Sequence, residues 1–133
     1  MKNIDRNTAL LELARRAARD RLQGFTLATK PDFIKAPFHA PVFEALEAVF
    51  RGDCRRLIIT LPPRHGKTEI VCRRFPAWYL GHNPRAQLIL TSYGLTLVQG
   101  ISRDIRRVMA DNTFRALFPE CELSPTSGSL ERW

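Results

Sequence analysis

The chain has 133 residues, room for one small domain and no more. Its 44% hydrophobic and 26% charged residues are the composition of a folded protein and exclude wholesale disorder. Twenty-one Lys and Arg against 13 Asp and Glu leave a net charge of +8, which favours a polyanionic partner such as nucleic acid, with a plain solubility role an equal alternative until the charges fall on one face.

Cys54, Cys72 and Cys121 include no C-x-x-C pair and stand without histidines at metal-ligand spacing. They suggest neither a disulfide framework nor a zinc site, and they fit a reducing cytoplasm. The opening MKNIDRNTALLELARR threads charges through its apolar residues, unlike a secretory leader, and no run approaches the roughly 20 apolar residues that cross a bilayer. The expectation is a soluble, unsecreted protein with no membrane association.

From Thr8 to Leu22, Leu10, Leu11, Leu13, Ala14, Ala17, Ala18 and Leu22 recur at helical spacing, with Thr8 placed to cap the start and Gly24 just past the end. Arg15, Arg16, Arg19 and Arg21 line the rest of this helix, as a solvated face or a contact surface. Residues 25–41 hold three prolines and irregular aromatics and read as an extended lead into a helix from Pro41 to Arg51. Phe43, Leu46, Val49 and Phe50 form its buried stripe, and Gly52-Asp53 breaks it.

Two short apolar runs follow, LIIT at 57–60 and LILTS at 88–92, without clean alternation. That pattern predicts strands covered on both faces, and the intervening residues suffice for a helical crossover. The expected fold class is therefore α/β, with a parallel sheet flanked by helices. Beyond the second run, Leu97, Val98, Ile101, Ile105, Val108 and Met109 share one helix face, with Arg103, Arg106 and Arg107 largely opposite. From Asp111 the pattern weakens, and CELSPTSGSLERW reads as loop with room for one short strand.

Between the two runs lies LPPRHGKTE, whose Gly66-Lys67-Thr68 closes the Walker A pattern G-x-x-x-x-G-K-[ST] while Leu61 stands where that pattern opens with Gly. In such a loop backbone N–H groups and a helix start cradle phosphates, Lys reaches the β- and γ-phosphates, and Ser or Thr ligates magnesium. Gly66, Lys67 and Thr68 can fill these roles. Pro62 and Pro63 offer fixed φ angles in place of the first Gly, so phosphate contacts must come from residues 64–68, with Arg64 and His65 close by.

The stretch PFHAPVFEALEAVFRGDCRRLIITLPPRHGKTEIVCRRFPAWYLGHNPRAQLILTSYG resembles the start of the ATPase domain of tailed-phage terminase large subunits, whose loop is often written P-P-R-x-G-K-[ST]. The resemblance covers about residues 33–120. It implies the N-terminal portion of a P-loop NTPase-type sheet domain at 25–133, truncated before the Walker B strand and lacking a nuclease domain; the basic amphipathic helix at 1–24, read from its periodicity, precedes it. It implies ATP and Mg2+ as cofactors, with Lys67 and Arg64 catalytic, and Arg64, His65, Gly66, Lys67, Thr68, Glu69, Phe38 and His39 around the nucleotide. Thr68 would ligate the metal through its hydroxyl. For His39, capping or packing at the helix start is an equal alternative. Ser92 and Tyr93 match a segment that faces DNA in related motors, although a simple turn explains Tyr93 as well, and Arg103, Arg106 and Arg107 are further candidate DNA contacts.

The implied partners are double-stranded DNA, the portal protein, the small terminase subunit and further copies of the chain on the portal, in the cytoplasm of a bacterial host. No apolar strand of this chain ends in the acid that would hold magnesium, so nucleotide binding with little turnover is expected. The final SGSLERW resembles the start of a strand in that family. Two alternatives stand beside this reading. One is a non-catalytic basic nucleic-acid-binding or interaction module, and the other, a small-molecule kinase, is disfavoured by the absence of an acceptor-site acid or lid.

Overall fold

The computed structural model describes residues 6–123, and among these it consists of helices and irregular connections. The expected strand near the C-terminus lies outside the described residues. Helices α1 (Arg6–Asp20) and α2 (Leu22–Thr29) form a hairpin broken at Arg21, whose φ of −123° and ψ of 130° are extended. The apolar pattern runs through this break; a tertiary contact makes it. Glu47, buried and far along the chain, accepts the Leu22 N–H at 2.9 Å and the Arg21 Nε–H at 3.1 Å, so a carboxylate from another element caps α2. Gly24 lies inside α2 rather than past a helix end, where a Cβ would come within 2.3 Å of the Ala17 carbonyl oxygen. The expected stripe of α1 is mostly exposed, with only Ala18 buried.

A 3-10 turn at Pro37–His39 leads into α3 (Ala40–Arg51), which ends at Gly52 in the left-handed conformation. Val42, Phe43 and Leu46 of α3 are buried, while Val49 and Phe50 are half-buried. After an irregular run the chain enters a continuous helical stretch, first wound as a π-helix over Thr68–Arg74 and then as α4 (Phe75–His82). Pro76 explains the change of winding: it has no N–H to give, and in a straight α-helix its ring would meet the Cys72 carbonyl. The wider turn ahead of it lets the Phe75 N–H reach back to Ile70 instead. Helices α5 (Leu95–Ala110) and α6 (Asn112–Leu117) follow, with Asp111 accepting the Thr113 N–H at 2.8 Å as the cap of α6.

The core gathers Leu22 and Phe25 of α2, Phe43 of α3, Ile70, Trp78 of α4, Ile105 of α5, Phe114 of α6 and Phe118. Phe25 meets Phe114 edge-on at 6.1 Å between ring centres. Trp78 is buried, and its indole N–H donates to the Arg19 carbonyl at 2.7 Å, tying α4 to the end of α1.

The α/β expectation is overturned. Among the described residues there is no strand, and no backbone hydrogen bond joins 57–60 to 88–92. A buried parallel strand needs cover on both faces and partners on both edges. Here the helices cover one side only: Ile59, Leu61 and Leu90 pack against the core, whereas Ile58 and Ile89 are 90% and 89% exposed. With one face wet and no further strand to pair with, apolar β-branched composition does not produce a sheet.

Candidate phosphate-binding loop

Residues 61–67 leave the first irregular run and enter the helical stretch, and their backbone enters the left-handed region twice. Arg64 has φ of 62° and Gly66 φ of 78°; Arg64 is the only non-glycine residue with positive φ among those described. A left-handed non-glycine residue costs on the order of 1 kcal/mol, so the surroundings must hold it there. Lys67 returns to right-handed geometry, with φ of −52° and ψ of −54°. Left-handed followed by right-handed backbone turns successive N–H groups towards one concavity, the arrangement that binds anions.

The loop is held from beneath by aromatic rings. His39, only 3% exposed, bonds the His65 carbonyl through Nε2 at 2.8 Å. Its ring lies 5.1 Å from Phe33 and 4.3 Å from Phe38, and Phe38 in turn lies 5.3 Å from His65. His65 donates from Nδ1 to the Pro63 carbonyl at 2.8 Å, closing the neck of the loop on itself. A Cβ at residue 66 would sit 3.1 Å from His39 Nε2 and 3.3 Å from the Phe33 ring, so both space and φ call for glycine.

The polar groups at the helix start are uncommitted. Among the described residues Lys67, Arg64 and Thr68 make no side-chain hydrogen bond or ion pair, and the N–H groups of Lys67, Thr68 and Glu69 have no acceptor. The first backbone bond of the helical stretch is Ile70 N–H to Gly66 carbonyl, 3.0 Å. Exposed donors, a lysine and a hydroxyl at a helix start suit a phosphate group. Thr68 offers an uncommitted hydroxyl at this point, and no cluster of three or more His, Cys, Asp or Glu occurs among the described residues. A hard cation here would be held mainly by phosphate oxygens and water.

Glu69 is otherwise engaged. Its carboxylate pairs with Arg73 at 2.9 Å and with the buried Arg74 at 2.7 Å; Arg73 pairs with Asp104 of α5 at 2.8 Å, and Asp104 lies 3.5 Å from Arg107. Arg74 also donates to the Thr29 carbonyl at 3.1 Å. This network fixes the π-helix between α2 and α5. Burial, offset in part by Arg73 and Lys67, pushes the Cys72 thiol up, so this cysteine beside the loop stays protonated at neutral pH.

The candidate DNA contacts are scattered. Ser92 and Tyr93 lie in the second irregular run, Tyr93 99% exposed, and neither shares a hydrogen bond or ring contact with the loop. Arg103 and Arg107 are exposed on α5, while Arg106 is half-buried and already engaged. Most of the N-terminal arginines act as staples. Arg15 donates to the Ala116 carbonyl at 2.7 Å, Arg19 donates to the Leu117 carbonyl and lies over the Phe118 ring, and Arg21 pairs with Glu47.

Sequence reasoning missed Phe33, the ion-pair chain through Arg73 and Asp104, and the burial of Glu47. The aromatic spacing in FIKAPFH just ahead of α3 was the available signal for Phe33. A cavity of about 420 Å³ beside α5 and α6, bounded by Met109, Phe118 and Leu123 among others, contains none of the expected site residues. No helix among the described residues is long and apolar enough to cross a membrane. No family model, curated protein or solved structure matches the chain.

Proposed function

We propose that residues 62–68 bind the phosphate tail of a nucleoside triphosphate, ATP with Mg2+, and that the chain serves as an ATPase segment of a viral DNA-packaging motor of the terminase large-subunit kind. The observation that carries the phosphate reading is the handed backbone at Arg64 and Gly66, directly followed by Lys67, Thr68 and three unpaired N–H groups. The motor reading is supported by the PPRHGKT loop and the sequence around it. It rests on the local loop and helix and makes no use of a sheet.

In this reading the loop N–H groups hold the phosphates, Lys67 neutralises their charge, Arg64 reaches the outermost phosphate, and the Thr68 hydroxyl would help to hold the metal. Magnesium, if bound, would offset the charge of the phosphates. Turnover is slow, because among the described residues no carboxylate at the loop is free to orient an attacking water; Glu69 is bound to two arginines. Double-stranded DNA, portal protein and small terminase subunit are the partners this reading names, with further copies of the chain around a portal.

A second reading, a basic nucleic-acid-binding module, is favoured by Arg55, Arg56, Arg85 and Arg103, which are exposed and without ion pairs among the described residues. It predicts DNA affinity that falls steeply with salt and is indifferent to nucleotide. Thermal unfolding with and without Mg-ATP separates the two. Ligand at about 100 times its dissociation constant should stabilise the wild type by about 2.7 kcal/mol, and Lys67→Ala should lose most of that gain. Equal unfolding temperatures in both conditions would reject the phosphate site.

A further inference from the structure

We propose that His39 is the positioning residue of the phosphate loop, turning the Gly66 N–H outward by holding the His65 carbonyl inward; this rests on the phosphate-binding reading above. The inference follows from the two nitrogens of one buried ring. Nδ1 of His39 lies 3.0 Å from the Ala36 backbone N, which can only donate, so Nδ1 carries no hydrogen. The hydrogen is therefore on Nε2, which faces the His65 carbonyl oxygen at 2.8 Å, a group that can only accept. Backbone on both sides fixes the tautomer.

Peptide planarity carries the effect onward. The bond from His65 to Gly66 is trans, as are all those described, so its C=O and N–H point in opposite directions. A carbonyl drawn in to the buried imidazole sends the Gly66 N–H away from it, to the side on which a ligand arrives. Phe33 and Phe38 flank the ring, and the lack of a Cβ at Gly66 lets backbone close to within reach of Nε2. His39 thus need not touch the nucleotide; it sets the plane of the peptide that does. The same ring bonds to Ala36 and so joins the start of α3 to the loop.

Two substitutions separate these bonds. His39→Asn keeps an acceptor near the Nδ1 position for the Ala36 N–H but falls short of His65. His39→Gln places an amide N–H near the Nε2 position and releases Ala36. Each variant is compared with the wild type by its rate of tryptic cleavage after Arg64, without nucleotide, and by its affinity for Mg-ATP. One lost hydrogen bond is worth up to about tenfold. The expected result is roughly tenfold faster cleavage and roughly tenfold weaker binding in His39→Asn, with both restored to within about threefold in His39→Gln.

Wild-type behaviour in the Asn variant, or rescue by Asn and not by Gln, would overturn the inference. If the wild type itself fails to bind Mg-ATP, the phosphate reading falls and the cleavage rates alone decide whether His39 holds the loop. Should His39→Asn not fold, imidazole 15N spectra of the wild type decide: a hydrogen on Nε2 supports the inference and one on Nδ1 overturns it.

Discussion

Two regions of similar apolar composition meet opposite fates. Trp78, Phe25, Phe114 and Phe118 sit in helices or at their ends and interlock until almost nothing is exposed, whereas in the irregular runs Ile58 and Ile89 remain largely in water and Leu57 and Leu88 are partly exposed. Hydropathy is comparable; the difference is the neighbours. A helix satisfies its own backbone and needs cover on one face, but a strand needs partners along both edges before burial can stabilise it. Backbone satisfaction is not sufficient, since Leu10, Leu11 and Leu13 of α1 stay exposed, and the runs bury only the residues, Ile59 and Leu90 among them, that face the helices.

Substitutions can break or sharpen this contrast. Trp78→Ala should have the largest effect, about 3–5 kcal/mol of lost stability by chemical denaturation, because it empties the centre of the core and leaves the Arg19 carbonyl without its indole donor. Next is Glu47→Ala, at about 2 kcal/mol, since a buried charged acceptor of the Leu22 N–H is removed and the start of α2 loses its cap. The smallest is Ile58→Ala, within about 0.5 kcal/mol, as expected for an exposed side chain. Ile58→Lys together with Ile89→Lys should instead lower any self-association seen by sedimentation, because charge on unpaired apolar chain discourages edge-to-edge pairing. A loss of more than about 2 kcal/mol in Ile58→Ala would mean that the run is covered in solution and would reverse the contrast.

The sequence made some of this legible. The stop of α3 at Gly52 needed only a residue free to adopt positive φ, and Ile101, Ile105, Val108 and Met109 fell on the buried face of α5 as their spacing required. That Gly66-Lys67-Thr68 leads directly into a helical stretch was legible as well, because the turn needs only a residue free to adopt positive φ. The sheet was misread because two β-branched runs say nothing about whether further strands exist to pair with them. The break at Arg21 was hidden because its cause, Glu47, lies 25 residues from Leu22 in sequence, and the arginines of α1 read as a charged face because their carbonyl acceptors on α6 lie about 100 residues away. The double duty of His39 was also closed to sequence reasoning, since it depends on which backbone groups the fold brings to each side of the ring.

The most direct test of the phosphate site is an amide NMR titration of the folded chain with Mg-ATP, beside the same titration of Lys67→Ala. Saturable shifts concentrated at the Gly66, Lys67, Thr68 and Glu69 amides are expected, with affinity reduced at least about tenfold in the variant. Shifts confined to the exposed arginines, or the same response in both proteins, would contradict the phosphate reading.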